Sequence, residues 1–338
     1  MPATPGATSV MLSLVIPVYK NEENIDRLLD ELVKLGTRLD MELEVVFVVD
    51  GSPDHCYEML AARLPRTPLR SQLIALSRNF GSFAAISAGL SCGRGDYFAV
   101  LAADLQEPPE LAAEFVKIFA SGEAEIVFGV RDSRSDPWLS ELTSNLFWRI
   151  YRRFVVRDMP SGGVDVFGCT RAVRDQLLAL PEVTTNLIAL LFWIGFPRRF
   201  LRYTRQPRLA GKSAWSFSKK LQYCIDSIFN FTDLPIRLLL TVGATGSILA
   251  FCLGIVVLTA KIMGGIPIPG YTPIVLSISF FSGLITLGLG LIGQYLWLAL
   301  KNTRNRPNFI IHTAQEFDRA GAQLAAGERA AGTKVKTA

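Results

Sequence analysis

Leu43-Glu44-Val45-Val46-Phe47-Val48-Val49-Asp50-Gly51-Ser52-Pro53-Asp54 decides the fold class. The β-branched, apolar run from Leu43 to Val49 reads as a buried strand, and Gly51 and Ser52 supply the turn after its closing carboxylate. Upstream, Leu12–Val18 is a similar run, followed by helical spacing over Asn24–Leu35. Downstream, Leu73–Leu76, Tyr97–Leu101 and Ile126–Val130 repeat the pattern with helical stretches between them. Short apolar strands alternating with amphipathic helices predict an α/β domain with a mostly parallel sheet. Ligands of such sheets sit at the carboxyl ends of the strands. Here those ends are Pro17-Val18-Tyr19, Asp50-Gly51-Ser52 and Asp104-Leu105-Gln106.

The chain changes character towards its end. Leu238–Ala260 and Ile262–Leu300 contain no charged residue. A helix of about 20 apolar residues spans a bilayer, so two spans are expected, at 237–260 and 274–300, split by the helix breakers of 264–270. Core helices of a soluble protein rarely lack charge over such lengths, and Gly243, Gly246, Gly283, Gly288 and Gly290 suit close helix packing. Basic residues flank the pair, from Arg198 to Arg237 before it and at Lys301, Arg304 and Arg306 after it. The positive-inside rule then places both termini in the cytoplasm. Trp138–Phe154 and Ser216–Phe231 read as basic amphipathic segments. The first fits a helix packed on the sheet equally well. Leu187–Phe196 is too short to span; it is either buried or dips into the interface.

Composition agrees. Of 338 residues, half are hydrophobic and 19% charged, with mean hydropathy +0.31, which excludes disorder as the main state. Net charge +5 and pI near 9.0 suit a membrane surface or an anionic substrate before nucleic acid. Five scattered cysteines exclude a disulfide scaffold and read as buried thiols, and two histidines exclude a histidine-rich metal site. Met1–Ser9 has no signal-peptide pattern.

Asp50 at a strand end suits a base or ribose. Asp104 and Gln106 place a carboxylate and an amide oxygen two residues apart, enough for Mg²⁺ when waters and substrate phosphates complete its shell. Asp104 alone would read as a helix N-cap before Pro108 and Pro109.

An ordered set of motifs carries a resemblance. It comprises Val15-Ile16-Pro17-Val18-Tyr19-Lys20-Asn21-Glu22-Glu23-Asn24, Val49–Asp54, Leu76-Ser77-Arg78-Asn79-Phe80-Gly81 and Ala103–Glu110. Gly129-Val130-Arg131 with Arg134, Ser161–Asp165 and Arg205–Ser213 follow. Over about residues 12–310 the chain resembles the polyprenyl-phosphate branch of family 2 glycosyltransferases, which includes dolichol-phosphate mannose synthases and bactoprenol glucosyltransferases. The resemblance implies a flexible stretch at 1–11 and a GT-A domain at 12–213. A juxtamembrane segment at 214–235, two transmembrane helices within 236–300 and a cytoplasmic tail at 301–338, disordered at its end, complete the expected order. It implies an inverting transfer of one sugar from a nucleotide-diphospho-sugar to polyprenyl phosphate, on the cytoplasmic face of a bacterial inner membrane. UDP-glucose is the first choice of donor and GDP-mannose the second; nucleic acid is not a partner, and a homo-oligomer is allowed. Pro17, Tyr19, Asp50 and, as an accessory, Glu22 are expected to hold the nucleoside. Asp104 and Gln106 would hold Mg²⁺ or Mn²⁺. Arg131, Arg134, Arg205, Arg208 and Ser213 would bind phosphate or acceptor, with Lys212 near the leaving diphosphate and Asp165 beside the acceptor. The family's common pattern has an acid where this chain has Ala102, an acid or amide at Val49, and Asp at Glu107. Rival readings are a processive polysaccharide synthase, disfavoured by two spans and no visible Gln-x-x-Arg-Trp motif, and a catalytically silent lipid-phosphate-binding scaffold.

Overall fold

The computed structural model describes residues 10–132, 149, 151–153, 156, 158–160, 163–164, 166–180, 186–206, 232, 234–263, 271–304, 306–319 and 323–324. The expected α/β order is present: β1 (Met11–Val18), α1 (Ile25–Arg38), β2 (Glu42–Val49), α2 (Cys56–Arg63), β3 (Arg70–Leu76), α3 (Ser82–Cys92), β4 (Tyr97–Val100), α4 (Glu110–Ala120) and β5 (Ile126–Arg131). Then come β6 (Val166–Thr170), α5 (Arg171–Ala179), α6 (Leu187–Trp193), β7 (Arg198–Tyr203), the long helices α7 (Leu234–Ile262) and α8 (Tyr271–Thr303), and the strands β8 (Ile311–Phe317) and β9 (Gln323–Leu324).

Among the described residues one sheet contains nine strands, in the order β7-β5-β6-β4-β1-β2-β3-β8-β9. β1 pairs parallel with β2 and β4, β2 with β3, and β5 with β7. β6 runs antiparallel to both β4 and β5, and β8 antiparallel to β3. The central strands are apolar throughout because both faces are covered, as parallel sheets require. Leu28, Leu60 and Phe115, from α1, α2 and α4, fill one face; Ala85, Val173 and Leu191, from α3, α5 and α6, fill the other. Gly89 lets α3 approach closely: a Cβ there would lie 2.3 Å from Val15 Cγ1.

Several expectations change. β8 and β9 belong to the same sheet, so residues 301–338 are not simply a tail: the chain returns from α8 and adds β8 beside β3, with β9 outside it. Of the Leu187–Phe196 run, Leu187–Phe192 is buried in α6, whereas Trp193 at its end is 67% exposed. Tyr151, from the first amphipathic stretch, is buried in the same core and accepts a hydrogen bond from Asn186 Nδ2 at 2.8 Å. Ser216–Phe231 lies outside the described residues. Cys56 and Cys169 are buried as expected, but Cys92 is half-buried and Cys252, on α7, is exposed.

α7 has 29 residues and α8 has 33, longer than the spans read from the sequence. At 1.5 Å per residue each exceeds the ~30 Å hydrocarbon core of a bilayer. Among the described residues one stretch, Phe280–Leu300, is long and apolar enough to cross, and none of it is buried by protein. Leu239 of α7 packs on Gly288 of α8, where a Cβ would sit 3.6 Å from the leucine. The hydroxyls of Thr241, Thr245, Thr259 and Thr286 all donate to the carbonyl four residues earlier. That arrangement satisfies them without water.

Candidate active site

The carboxyl ends of β1, β2, β4, β5 and β7 lie along one edge of the sheet, and the described residues expected in the site gather there. Each is placed by the loop that leaves its strand.

Asp50 follows β2 directly and is 3% exposed. Its Oδ1 accepts the amide of Phe80 at 2.7 Å and its Oδ2 the amide of Gly81 at 2.8 Å. Burial pushes its carboxyl above the ordinary range, opposed by these two amides and by the Arg78 charge. Asp50 therefore ties the β2 turn to the 77–81 loop, and each oxygen keeps a lone pair for a ligand. Gly51, at φ +55°, makes this possible: a Cβ would lie 2.4 Å from the backbone of Arg78 and Asn79. The Arg78 guanidinium stacks on the Phe80 ring at 3.9 Å.

Pro17 and Tyr19 are half-buried at the end of β1. The loop beyond them is stitched to the β2 loop: the Lys20 amide donates to Ser52 Oγ (2.8 Å), the Glu22 amide to Asp54 Oδ2 (3.2 Å) and the His55 amide to Glu22 Oε2 (3.0 Å). Glu22 thus spends one carboxylate oxygen holding this loop pair. Burial raises the Asp54 carboxyl, yet hydrogen bonds from Ser52, Cys56 and the Glu22 amide outweigh it and leave it below the usual range. Burial first and the Asp54 contact second push the Cys56 thiol up to about 12, which keeps it protonated and unreactive.

Asp104 lies past the end of β4, half-buried. It is not a helix cap, because α4 starts at Glu110 with Pro109 at the cap position. The Gln106 amide donates back to Asp104 Oδ1 at 3.3 Å. Between them Leu105 has φ +54°, and Lys20 also has φ +54°; these are the two non-glycine residues with positive φ among those described. A left-handed residue of this kind costs about 1–2 kcal/mol, and such strain gathers where side chains must be aimed. The turn is held from β7: the Gln206 amide donates to the Gln106 carbonyl at 2.9 Å, and Arg205 donates to Gln106 Oε1. Arg205 Nε also lies 3.8 Å from the carboxylate of Glu107, which is 3% exposed. Arg131 closes β5 opposite Tyr203 of β7 and is half-buried.

The structure therefore brings together Pro17, Tyr19, Asp50, Asp104, Gln106, Arg131 and Arg205 along this edge, with Glu22 in the neighbouring loop. Arg134, Asp165, Arg208, Lys212 and Ser213 lie outside the described residues. Sequence reasoning missed the buried Glu107, the 77–81 loop as the partner of Asp50, and the Ser52–Asp54 stitch. Asp104 and Gln106 alternate in exposure with Leu105 and Glu107, but that alternation is invisible without the turn.

Among the described residues no three Asp, Glu, His or Cys side chains gather as a metal site. Asp104 with Gln106 fits a cation whose shell is completed by substrate oxygens, not one caged by protein. Gln106 Oε1 already accepts from Arg205, so a cation there would exchange that contact. The Arg205 guanidinium, reaching this turn from beyond β7, can offset the charge of a diphosphate, and the acid and amide can do so only through a cation.

Residues 13–179 match the profile of Glycosyl transferase family 2. An uncharacterized glycosyltransferase of Synechocystis is 31% identical over 90% of this chain and 95% of its own length. An uncharacterized glycosyltransferase of Bacillus subtilis is 31% identical over 89% of this chain and 93% of its own. A prophage-derived bactoprenol glucosyl transferase of Shigella flexneri is 28% identical over 89% of this chain and 97% of its own.

Proposed function

Because the chain belongs to glycosyl transferase family 2, we propose that it transfers one sugar from a nucleotide-diphospho-sugar to polyprenyl phosphate at the cytoplasmic face of a bacterial membrane. The observation that carries this reading is the turn in which Asp104, Gln106 and Arg205 meet, on a sheet whose last strands follow a pair of long apolar helices. Together these features support a reading with two anionic substrates, one of them a lipid. The name of the Shigella relative supports glucose as the sugar and bactoprenol as the lipid, and UDP-glucose is the donor we favour.

In this reading an oxygen of the lipid phosphate attacks the anomeric carbon. The new C–O bond forms as the bond to the diphosphate breaks, with inversion, and the nucleoside diphosphate leaves with the electron pair. A phosphate monoester with a second pKa near 6 is largely ionised at neutral pH, so no strong base is needed and Asp165 positions the acceptor. Pro17, Tyr19 and Asp50 hold the nucleoside. Arg131 and Arg205, with Lys212, Arg134, Arg208 and Ser213 from the segments around them, offset the phosphate charges, Arg doing so through its planar fork. A divalent cation, Mg²⁺ or Mn²⁺, held by Asp104 and Gln106, would supply charge neutralisation on the leaving diphosphate.

The test is purified full-length protein with Mg²⁺, undecaprenyl phosphate and UDP-glucose or GDP-mannose, read by mass spectrometry of the lipid. A single hexose on the lipid, from UDP-glucose before GDP-mannose, is expected. Lipid left unmodified by either donor, or carrying a polymer, overturns the proposal.

The topology proposed is α7 and α8 both crossing, with the catalytic domain and both termini inside. Pairing of β8 with β3 supports it, since a chain that leaves and rejoins one domain crosses an even number of times. The basic residues on either side of the pair agree. A cysteine at Gly265 should react with an impermeant maleimide from outside the cell and one at Thr4 should not; the reverse pattern would place the sheet outside, away from nucleotide sugars.

A further inference from the structure

The strand that follows α8 lies against the loop on which Asp50 depends. β8 pairs with β3 from Ser71↔Phe317 to Leu76↔Ile311, with an irregularity between Ala75 and Leu76. Just beyond, the Ser77 amide donates to the Ile310 carbonyl at 2.9 Å. Phe309, half-buried, packs against the same apolar cluster as Phe80 and Phe83. The next residues along, Phe80 and Gly81, give their amides to Asp50. Gly51 rests on the backbone of Arg78 and Asn79 with no room for a methyl group. The Ser77–Ile310 hydrogen bond and the apolar cluster shared by Phe309 and Phe80 thus tie the segment before β8 to the 77–81 loop, whose amides hold the carboxylate at the nucleoside end of the site.

We propose that Phe309 and Ile310 position the donor nucleoside, by setting the 77–81 loop that aims Asp50. This rests on the transferase reading above, in which Asp50 faces the nucleoside. Phe309 touches no substrate in this account; it acts through Phe80, Gly81 and Asp50. The far end of β8 is anchored separately. There Glu316 pairs with Arg94 at 2.5 Å, and the Arg94 amide donates to the buried Glu44. That second anchor lies at the opposite end of the strand and supplies the control: loosening it weakens the strand without touching the loop.

The experiment is calorimetric titration of UDP and of GDP into the full chain in nanodiscs, for wild type, Phe309→Ala, Phe309→Leu and Glu316→Gln, with kinetics for both substrates. Phe309→Ala should weaken nucleotide binding and raise donor KM about tenfold, the usual size of coupling through a packed element. The lipid KM should stay unchanged, Phe309→Leu should restore most of the affinity, and Glu316→Gln should bind as wild type. Hydrogen exchange gives a second readout: the Phe80 and Gly81 amides should exchange faster in Phe309→Ala while those of β1 and β2 keep wild-type protection. Nucleotide affinity of Phe309→Ala within twofold of wild type, or equal loss in Glu316→Gln, overturns the proposal. If Phe309→Ala fails to fold, Phe309→Leu with unaltered exchange at residues 80 and 81 and unaltered affinity does the same. A wild type that binds neither nucleotide sinks the transferase reading and this inference together. A wild type that binds while Phe309→Ala binds equally well sinks this inference alone.

Discussion

Asp104→Asn should lower sugar transfer by about 10²–10³-fold, roughly 3–4 kcal/mol of transition-state stabilisation, the range seen when one preorganised electrostatic contact to a developing charge is lost. The side chain keeps its shape and its place in the turn, and the amide oxygen can still accept the Gln106 amide. The fold should therefore persist, with a melting temperature close to wild type. What disappears is the negative charge. With Ala102 two residues before it and Gln106 two after, Asp104 is the carboxylate this turn presents half-exposed, whereas Glu107 is buried beside Arg205. Mg²⁺ should bind weakly to the free protein and well only together with nucleoside diphosphate, because one carboxylate leaves most of the shell to substrate and water. Calorimetry with Mg²⁺ alone, UDP alone and both together separates these terms. Full activity of Asp104→Asn, or of wild type in excess chelator, would show that Arg131, Arg205 and Lys212 neutralise the diphosphate unaided.

Arg205→Lys should cost about 10–100-fold in turnover, the worth of a hydrogen bond to a charged group. Arg205, two residues past the end of β7, braces the turn in three ways, two of them through its planar group. It donates to Gln106 Oε1, lies 3.8 Å from the buried Glu107, and belongs to the segment whose next amide holds the Gln106 carbonyl. Lysine keeps the charge beside Glu107 but cannot serve two acceptors from a rigid fork. Thermal stability should fall by only a few degrees while kcat drops. Equal kinetics for donor and lipid in Arg205→Lys would remove this residue from the reaction and leave it as a brace for the Leu105 turn.

The sheet was legible because its strands are buried on both faces and so read as unbroken apolar runs; Leu12–Val18 and Leu43–Val49 became β1 and β2 within a residue of their ends. The site residues were legible as strand ends, and the resemblance supplied their roles. What was not legible depends on distance along the chain. Glu107 and Arg205 are 98 positions apart, and nothing local in either segment announces the other. Ile311–Phe317 was the largest miss. Its His312 and Gln315 break the apolar pattern, because only part of this strand's surface is covered, and its partner β3 lies more than 230 residues earlier, beyond two long helices. The 77–81 loop was quoted as a motif without a job, since its job is done by backbone amides, which no side-chain pattern encodes.

The late arrival of β8 also bears on how the protein is made. In the topology proposed above, the ribosome completes residues 12–206 long before it reaches 311, with two long apolar helices to deliver to the membrane in between. Throughout that interval the rim of β3 has open amides and carbonyls on the side β8 will occupy, the kind of edge that recruits stray strands. Closure requires that both helices be seated so that their far end comes back to the sheet. A chain whose second helix stays behind, or threads the wrong way, keeps an open rim that proteases and chaperones can read. In that topology β8 would serve biogenesis as an inspection stamp: the rim of β3 is sealed only after both helices have been inserted correctly.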